Sequence, residues 1–199
     1  MEIELVLIRH GRTQWNVDKR YLGHTDIGIL DRPSAELSSL KRQLEDRMFQ
    51  SIFCSDLKRC QETLEYIYPT SQEQIILDTR LREMDFGDWE GQTYEQLRLV
   101  DDYCNWLDDP QSITPPNGES WLEFKERIEN FMETLTSILK DEEHVNSSSA
   151  ILIVTHGGVI RQLLAMTVLG STFWDFAADP GTLISLKLTL QDDKWVGNL

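Results

Sequence analysis

The apolar positions along the chain switch repeatedly between a strand-like and a helix-like period. Ile3–Ile8 is a short, β-branched apolar run that passes straight into Arg9-His10-Gly11, as a buried strand ending in a glycine-containing turn would. Leu37, Leu40, Leu44 and Met48 recur at helical spacing behind Pro33-Ser34 and predict a helix over Ser34–Met48. Ser51–Cys54 reads as a second strand, after which Ser55 or Asp56 is placed to cap a helix with the apolar face Leu57, Cys60, Leu64 and Ile67. Gln74–Leu77 reads as a third strand and Tyr94–Leu107 as a helix, while Asp108–Glu119, with its three prolines, reads as a loop. Ser120 and Glu123 have capping-box spacing. From Trp121, Phe124 and Ile128 through Phe131, Met132, Leu135, Ile138 and Leu139, one apolar face marks a long helix that fades into the polar stretch Asp141–Ser149. Ala150–Val154 is the clearest buried strand and runs into Thr155-His156-Gly157-Gly158; a helix over Val159–Leu169 and a last strand over Leu183–Leu190 follow.

Strands alternating with helices predict the α/β class, here a three-layer α/β/α arrangement around a mostly parallel, mixed sheet. Neither an internal repeat nor a linker interrupts the pattern, so residues 1–199 are expected to form a single domain, with 85–119 as a candidate lid or cap.

Charge changes this picture by exclusion. The formal net charge of −15 argues against nucleic acid and anionic membranes as partners. It does not argue against a small anionic ester, because the excess is local. Residues 1–64 are neutral overall, 65–150 carry −14 and 151–199 carry −1. The three cysteines, at 54, 60 and 104, lack metal-site spacing. With no apolar stretch of signal-peptide or membrane length, they point to a reduced, cytoplasmic setting.

Candidate chemistry follows from position. Two predicted strands end in His-Gly pairs, and in open α/β sheets ligands bind at the carboxyl ends of strands. His10 and His156 therefore meet on one rim, together with Arg9 and with Arg59 from the start of the helix after the second strand. Guanidinium groups grip phosphoryl oxygens bidentately, glycines admit close backbone amides, and a neutral imidazole is a competent nucleophile toward phosphorus. An acid is then needed for the leaving oxygen. Glu83, in Leu81-Arg82-Glu83-Met84-Asp85-Phe86-Gly87, is the leading candidate, because burial and a bound phosphate would both favour its protonated form; Asp85 and Asp88 are the alternatives. Zinc at paired histidines is disfavoured by two neighbouring arginines. His24 and His144 lie in polar stretches and are expected to be solvated, and Arg12, Arg80 and Arg82 to be solvated or ion-paired. Trp89 and Trp106 flank the prospective roof, so either could line a substrate pocket.

Four blocks in order, Leu7-Ile8-Arg9-His10-Gly11-Arg12-Thr13-Gln14-Trp15-Asn16, Ser55–Thr63, Leu81–Gly91 and Thr155–Gly158, resemble the motifs of the histidine phosphatase superfamily, the phosphoglycerate-mutase-like fold. The resemblance spans nearly the whole chain. It implies His10 as the phosphorylated nucleophile and Glu83 as general acid. It implies Arg9, Arg59 and His156 as the phosphoryl clamp, assisted by Asn16 and the Gly157 amide, with neither metal nor other cofactor. Arg12 stands where the family usually has Glu, and Ile27-Gly28 replaces a usual Pro-Leu. The chain ends soon after its last expected strand, which favours a hydrolase over a mutase. Finer likeness in residues 86–91, 115–131 and Asp179-Pro180-Gly181 is to the branch that dephosphorylates α-ribazole 5′-phosphate, a cobalamin precursor. The implied partner is thus a small phosphorylated metabolite. A broad-specificity phosphatase is the alternative, and a phosphoglycerate mutase or a non-catalytic phosphate-binding domain stands behind it.

Overall fold

The computed structural model describes residues 1–30, 34–69, 75–141, 150–192 and 194–199. Six strands form one sheet: β1 (Glu2–Arg9), β2 (Ser51–Cys54), β3 (Ile75–Leu77), β4 (Ala150–Thr155), β5 (Leu183–Gln191) and β6 (Lys194–Asn198). Their order is β3-β2-β4-β1-β5-β6. The pairs β3/β2, β2/β4 and β4/β1 are parallel, whereas β5 runs antiparallel to both β1 and β6. The helices are α1 (Gln14–Val17), α2 (Ala35–Leu44), α3 (Lys58–Ile67), α4 (Tyr94–Leu97), α5 (Asp101–Asp108), α6 (Trp121–Asp141) and α7 (Gly157–Thr167).

The near-continuous apolar character of β1 and β4 has a plain cause: both faces are covered. Leu5, Leu7, Ile151 and Ile153 pack with Phe124, Ile128, Phe131 and Leu135 of α6 and with Val159, Ile160, Leu163 and Leu164 of α7. The alternate residues Val6, Ile8, Leu152 and Val154 pack with Leu37, Leu40 and Leu44 of α2 and Cys60, Leu64 and Ile67 of α3. These are the three layers expected, with the central parallel strands buried on both sides.

Several boundaries differ from the sequence reading. Helix α2 stops at Leu44, and Met48 is 85% exposed, off the apolar face that its spacing predicts. The predicted helix over Tyr94–Leu107 is two helices, α4 and α5, broken at Arg98–Val100. Neither Ser55 nor Asp56 caps α3. The cap residue is Leu57, whose side chain cannot accept, and the Asp26 carboxylate from a distant loop takes the Lys58 amide instead at 2.7 Å. The box at Ser120 forms as expected, with Glu123 Oε2 accepting from the Ser120 amide and hydroxyl. Helix α7 begins two residues early, so Gly157 and Gly158 are its first turn. Strand β6 follows β5, which is therefore not the last. Gln74, His144 and most of Asp141–Ser149 lie outside the described residues. No helix among the described residues is long and apolar enough to cross a membrane.

Candidate active site

Strands β1 and β4 are adjacent and in register from Glu4↔Ala150 to Arg9↔Thr155, so the residues that leave their carboxyl ends emerge side by side. The rings of His10 and His156 stand edge to face with centroids 5.1 Å apart, both buried. β2, on the far side of β4, delivers Ser55, and the first turn of α3 delivers Arg59, which is fully buried.

The hydrogen bonds fix both histidine tautomers. His10 Nδ1 lies 2.7 Å from the Gly11 carbonyl, which can only accept. Nδ1 therefore carries the proton, and Nε2 keeps a bare lone pair. His156 Nδ1 accepts from Arg59 Nε at 3.3 Å, so its Nε2 carries the proton and donates to Ser55 Oγ at 2.9 Å. Cys60 Sγ sits 3.4 Å from that same Nε2, and burial pushes the Cys60 thiol up to about 12. Burial first, and then the Arg59 and Arg9 charges, hold His10 well below the ordinary imidazole value. The same causes, burial and then Arg59, act on His156. Both rings are neutral at neutral pH.

The two arginines are held differently. Arg59 donates to Gly23 O at 2.6 Å and Thr25 O at 3.0 Å as well as to His156. Arg9 Nη1 donates to Ala178 O at 2.6 Å, but its buried Nε has no hydrogen-bond partner. Gly157 makes room for this guanidinium: a Cβ there would lie 3.2 Å from Arg9 Cζ. Gly158 does the same for Glu83, whose Oε2 accepts the Gly158 amide at 3.0 Å; a Cβ on Gly158 would meet Glu83 Oε1 at 2.2 Å. Asn16 Oδ1 is occupied by the Thr13 amide and hydroxyl, both at 3.1 Å, within the capping box of α1. Of the seven residues read from the sequence, Arg9, His10, Arg59, Glu83, His156 and Gly157 are thus brought together where the strands end, with Glu83 coming from the 81–87 turn, while Asn16 lies further along in α1 and bonds to Thr13.

The family model of the histidine phosphatase superfamily (branch 1) matches residues 5–198. The chain belongs to the histidine phosphatase superfamily. An adenosylcobalamin/α-ribazole phosphatase of Escherichia coli strain K12 is 33% identical over 183 residues, covering 90% of this chain and 87% of that protein. Phosphoserine phosphatase 1 of Hydrogenobacter thermophilus is 27% identical over 89% of this chain and 82% of that one. The crystal structure of the α-ribazole phosphatase from Shigella flexneri superposes with a TM-score of 0.83 at 31% identity, covering 98% of this chain and 95% of that chain. The expected enzyme class, a phosphatase, and the phosphoglycerate-mutase-like fold both stand.

Two residues to which the resemblance assigns no role hold this chain's site in place. Glu90 accepts the His24 amide at 2.6 Å and the Thr25 amide at 2.7 Å, together with the Thr25 hydroxyl. It thereby fixes the loop whose carbonyls grip Arg59. Arg127 of α6 pairs with Glu119 and donates to the carbonyls of Arg80, Arg82 and Glu83, pinning the turn that carries Glu83. His24 is not solvated as expected; it contacts the Glu83 carbonyl at 3.0 Å and the Asp85 carboxylate at 3.4 Å. Arg80 and Arg82 are ion-paired with Asp78 and Asp56, and Arg12 with Glu36. Trp89 is 2% exposed in an aromatic cluster with Tyr103 and Trp106, so it supports the roof from within. Trp106 lines a cleft of about 240 Å³ beside Arg9, Glu83 and Gly157.

Proposed function

We propose that this superfamily member hydrolyses phosphomonoesters without a metal, through a phosphohistidine at His10. The observation that carries this reading is the state of His10: neutral, with Nδ1 fixed on a carbonyl and Nε2 bare, between two arginines that draw in a dianion. Nε2 attacks phosphorus and an N–P bond forms as the ester P–O bond breaks. Glu83 gives its proton to the departing alkoxide. Water then attacks the phosphohistidine, Glu83 takes its proton back, and inorganic phosphate leaves. Arg9 Nε, Arg59, Asn16 Nδ2 and the Gly157 amide at the N-terminus of α7 hold the phosphoryl oxygens. A bound dianion reverses the field on His156, which then takes a second proton and turns from an acceptor of Arg59 into a donor to the phosphoryl group. Segment 85–119 serves as the cap of a single 1–199 domain, in the cytoplasm.

The substrate we infer is α-ribazole 5′-phosphate, in nucleotide-loop synthesis for cobalamin; likeness over 90% of the chain to a protein named for that activity supports it. A broad-specificity enzyme is the second reading, favoured by likeness at 27% and 30% identity to phosphatases of phosphoserine and of glucosyl-3-phosphoglycerate. The test is a panel of α-ribazole 5′-phosphate, 3-phosphoglycerate and an aryl phosphate in EDTA. A steep kcat/KM preference for the first is expected. A flat profile gives the broad enzyme, isomerised phosphoglycerate gives a mutase, and activity lost to EDTA sinks the metal-free mechanism.

A further inference from the structure

Among the described residues, three buried side-chain nitrogens lack a hydrogen-bond partner: Arg9 Nε, Trp106 Nε1 and Arg161 Nε. All three residues line the same cleft. All three atoms are donors. Buried polar groups are normally satisfied, so three unmet donors just behind the lining of one cleft mark side chains that gain a hydrogen bond by turning to a ligand rich in acceptors. Arg9, beside Gly157 and near the His10 ring, belongs to the phosphoryl end. Trp106 and Arg161 are not needed there, and the mechanism above does not use them.

The wall around those two donors is aromatic. Trp121, Phe173 and Trp174 form a contiguous group, with Phe173 4.8 Å from both tryptophan rings and the two indoles nearly parallel at 17°. Arg161 lies over the Phe173 ring with Cζ 5.6 Å from its centroid, and it has no carboxylate partner among the described residues. Flat aromatic surface favours a flat aromatic ligand, and a cleft smaller than the roughly 300–1,000 Å³ of drug-sized pockets suits a compact one.

We propose that this cleft is the leaving-group subsite, that it takes a nucleoside-like group with a flat heterocycle and acceptor atoms, and that Trp106 and Arg161 determine specificity by donating to those acceptors. The proposal rests on the phosphatase reading for its orientation, with the phosphoryl end at Arg9, but not for the existence of the subsite.

The experiment compares wild type with Trp106→Phe, Arg161→Gln and Trp174→Ala on four esters: α-ribazole 5′-phosphate, adenosine 5′-monophosphate, phenyl phosphate and 3-phosphoglycerate. Trp106→Phe and Arg161→Gln should each lower kcat/KM by about tenfold on the two nucleoside-type esters, through KM, and by less than about twofold on the other two. Trp174→Ala, at a side chain that is 57% exposed and so safe for folding, should weaken the three aromatic esters and spare 3-phosphoglycerate. In parallel, α-ribazole itself, which has no phosphate, is titrated against tryptophan fluorescence. Saturable quenching is expected in wild type and a loss of affinity in Arg161→Gln. Equal losses on all four esters, or a larger loss on 3-phosphoglycerate with Arg161→Gln, overturn the subsite while leaving the phosphatase intact. Quenching without turnover of any ester overturns the phosphatase reading and leaves the subsite standing.

Discussion

Arg59 and Arg161 both lie near Arg9 and are treated in opposite ways. On the floor, Arg59 is fully buried and bonded through Nε, Nη1 and Nη2 to His156, Thr25 and Gly23. On the wall, Arg161 lies over Phe173 with its Nε unmet. The floor is held before any ligand arrives: Arg59 and His10 by backbone carbonyls, and His156 by Arg59 and Ser55, with Arg9 Nε the one open donor beside them. The wall keeps open valences. Preorganised charge is what the chemical step needs, because reorientation at the moment of reaction would have to be supplied from the barrier. Open valences are what recognition needs, because a donor left unmet by the wrong ligand discriminates against it.

The largest break in this comparison comes from the floor. His10→Ala should lower kcat by at least about 10⁴-fold and abolish the acid-labile phosphoprotein seen on quenching with substrate, because nothing else there offers a bare nitrogen. Retained activity would remove the nucleophile assignment. Next comes Glu83→Gln, expected to cost about 10²–10³-fold on alkyl esters and much less on an aryl phosphate, whose leaving group departs without a proton. An equal loss on both would make Glu83 a structural carboxylate.

Glu90→Ala sharpens the comparison rather than breaking it. Freeing the Gly23–Thr25 loop loosens Arg59, so kcat/KM should fall by about tenfold while stability drops by about 2 kcal/mol, the worth of hydrogen bonds to a charged acceptor. Hydrogen exchange should quicken at His24 and Thr25 and leave α7 untouched. The last effect is on stability as a function of pH. Both buried histidines bind protons less readily folded than unfolded. Their share of stability is therefore whole above the ordinary value of 6.5 and falls as pH drops below it, by up to about 1.4 kcal/mol per pH unit for each. Urea unfolding at pH 5 and pH 7.5 measures this, and His10→Gln should halve the slope.

The same division explains what could be read from the sequence. His10, Arg59 and His156 were found because each follows a strand within a few residues, so a local pattern fixes where the side chain emerges. The layers followed for the same reason, since β1 and β4 announce themselves by unbroken apolar runs. Glu90 and Arg127 were missed because their partners lie about 65 and 45 residues away, and no local spacing encodes such a bond. His24 was misjudged for that cause as well: its polar neighbours suggested solvent, but a distant turn covers it. Trp89 and Trp106 look alike in sequence. Only packing separates the one sealed in the roof from the one facing the cleft.

Gly157 and Gly158 have a consequence of a different kind. One is moulded to the Arg9 guanidinium and the other to the Glu83 carboxylate. Adjacent Cα atoms across a trans peptide are held about 3.8 Å apart by covalent geometry alone. The Arg9 guanidinium and the Glu83 carboxylate, the cation and acid of the proposed reaction, are therefore set against two neighbouring points of one peptide unit, while Ala178 holds the guanidinium from its other side and Arg127 holds the Glu83 carbonyl. On the proposed mechanism, a roof rewritten for a leaving group of another shape would leave those two points in place, so new esters could be admitted without moving the reacting groups.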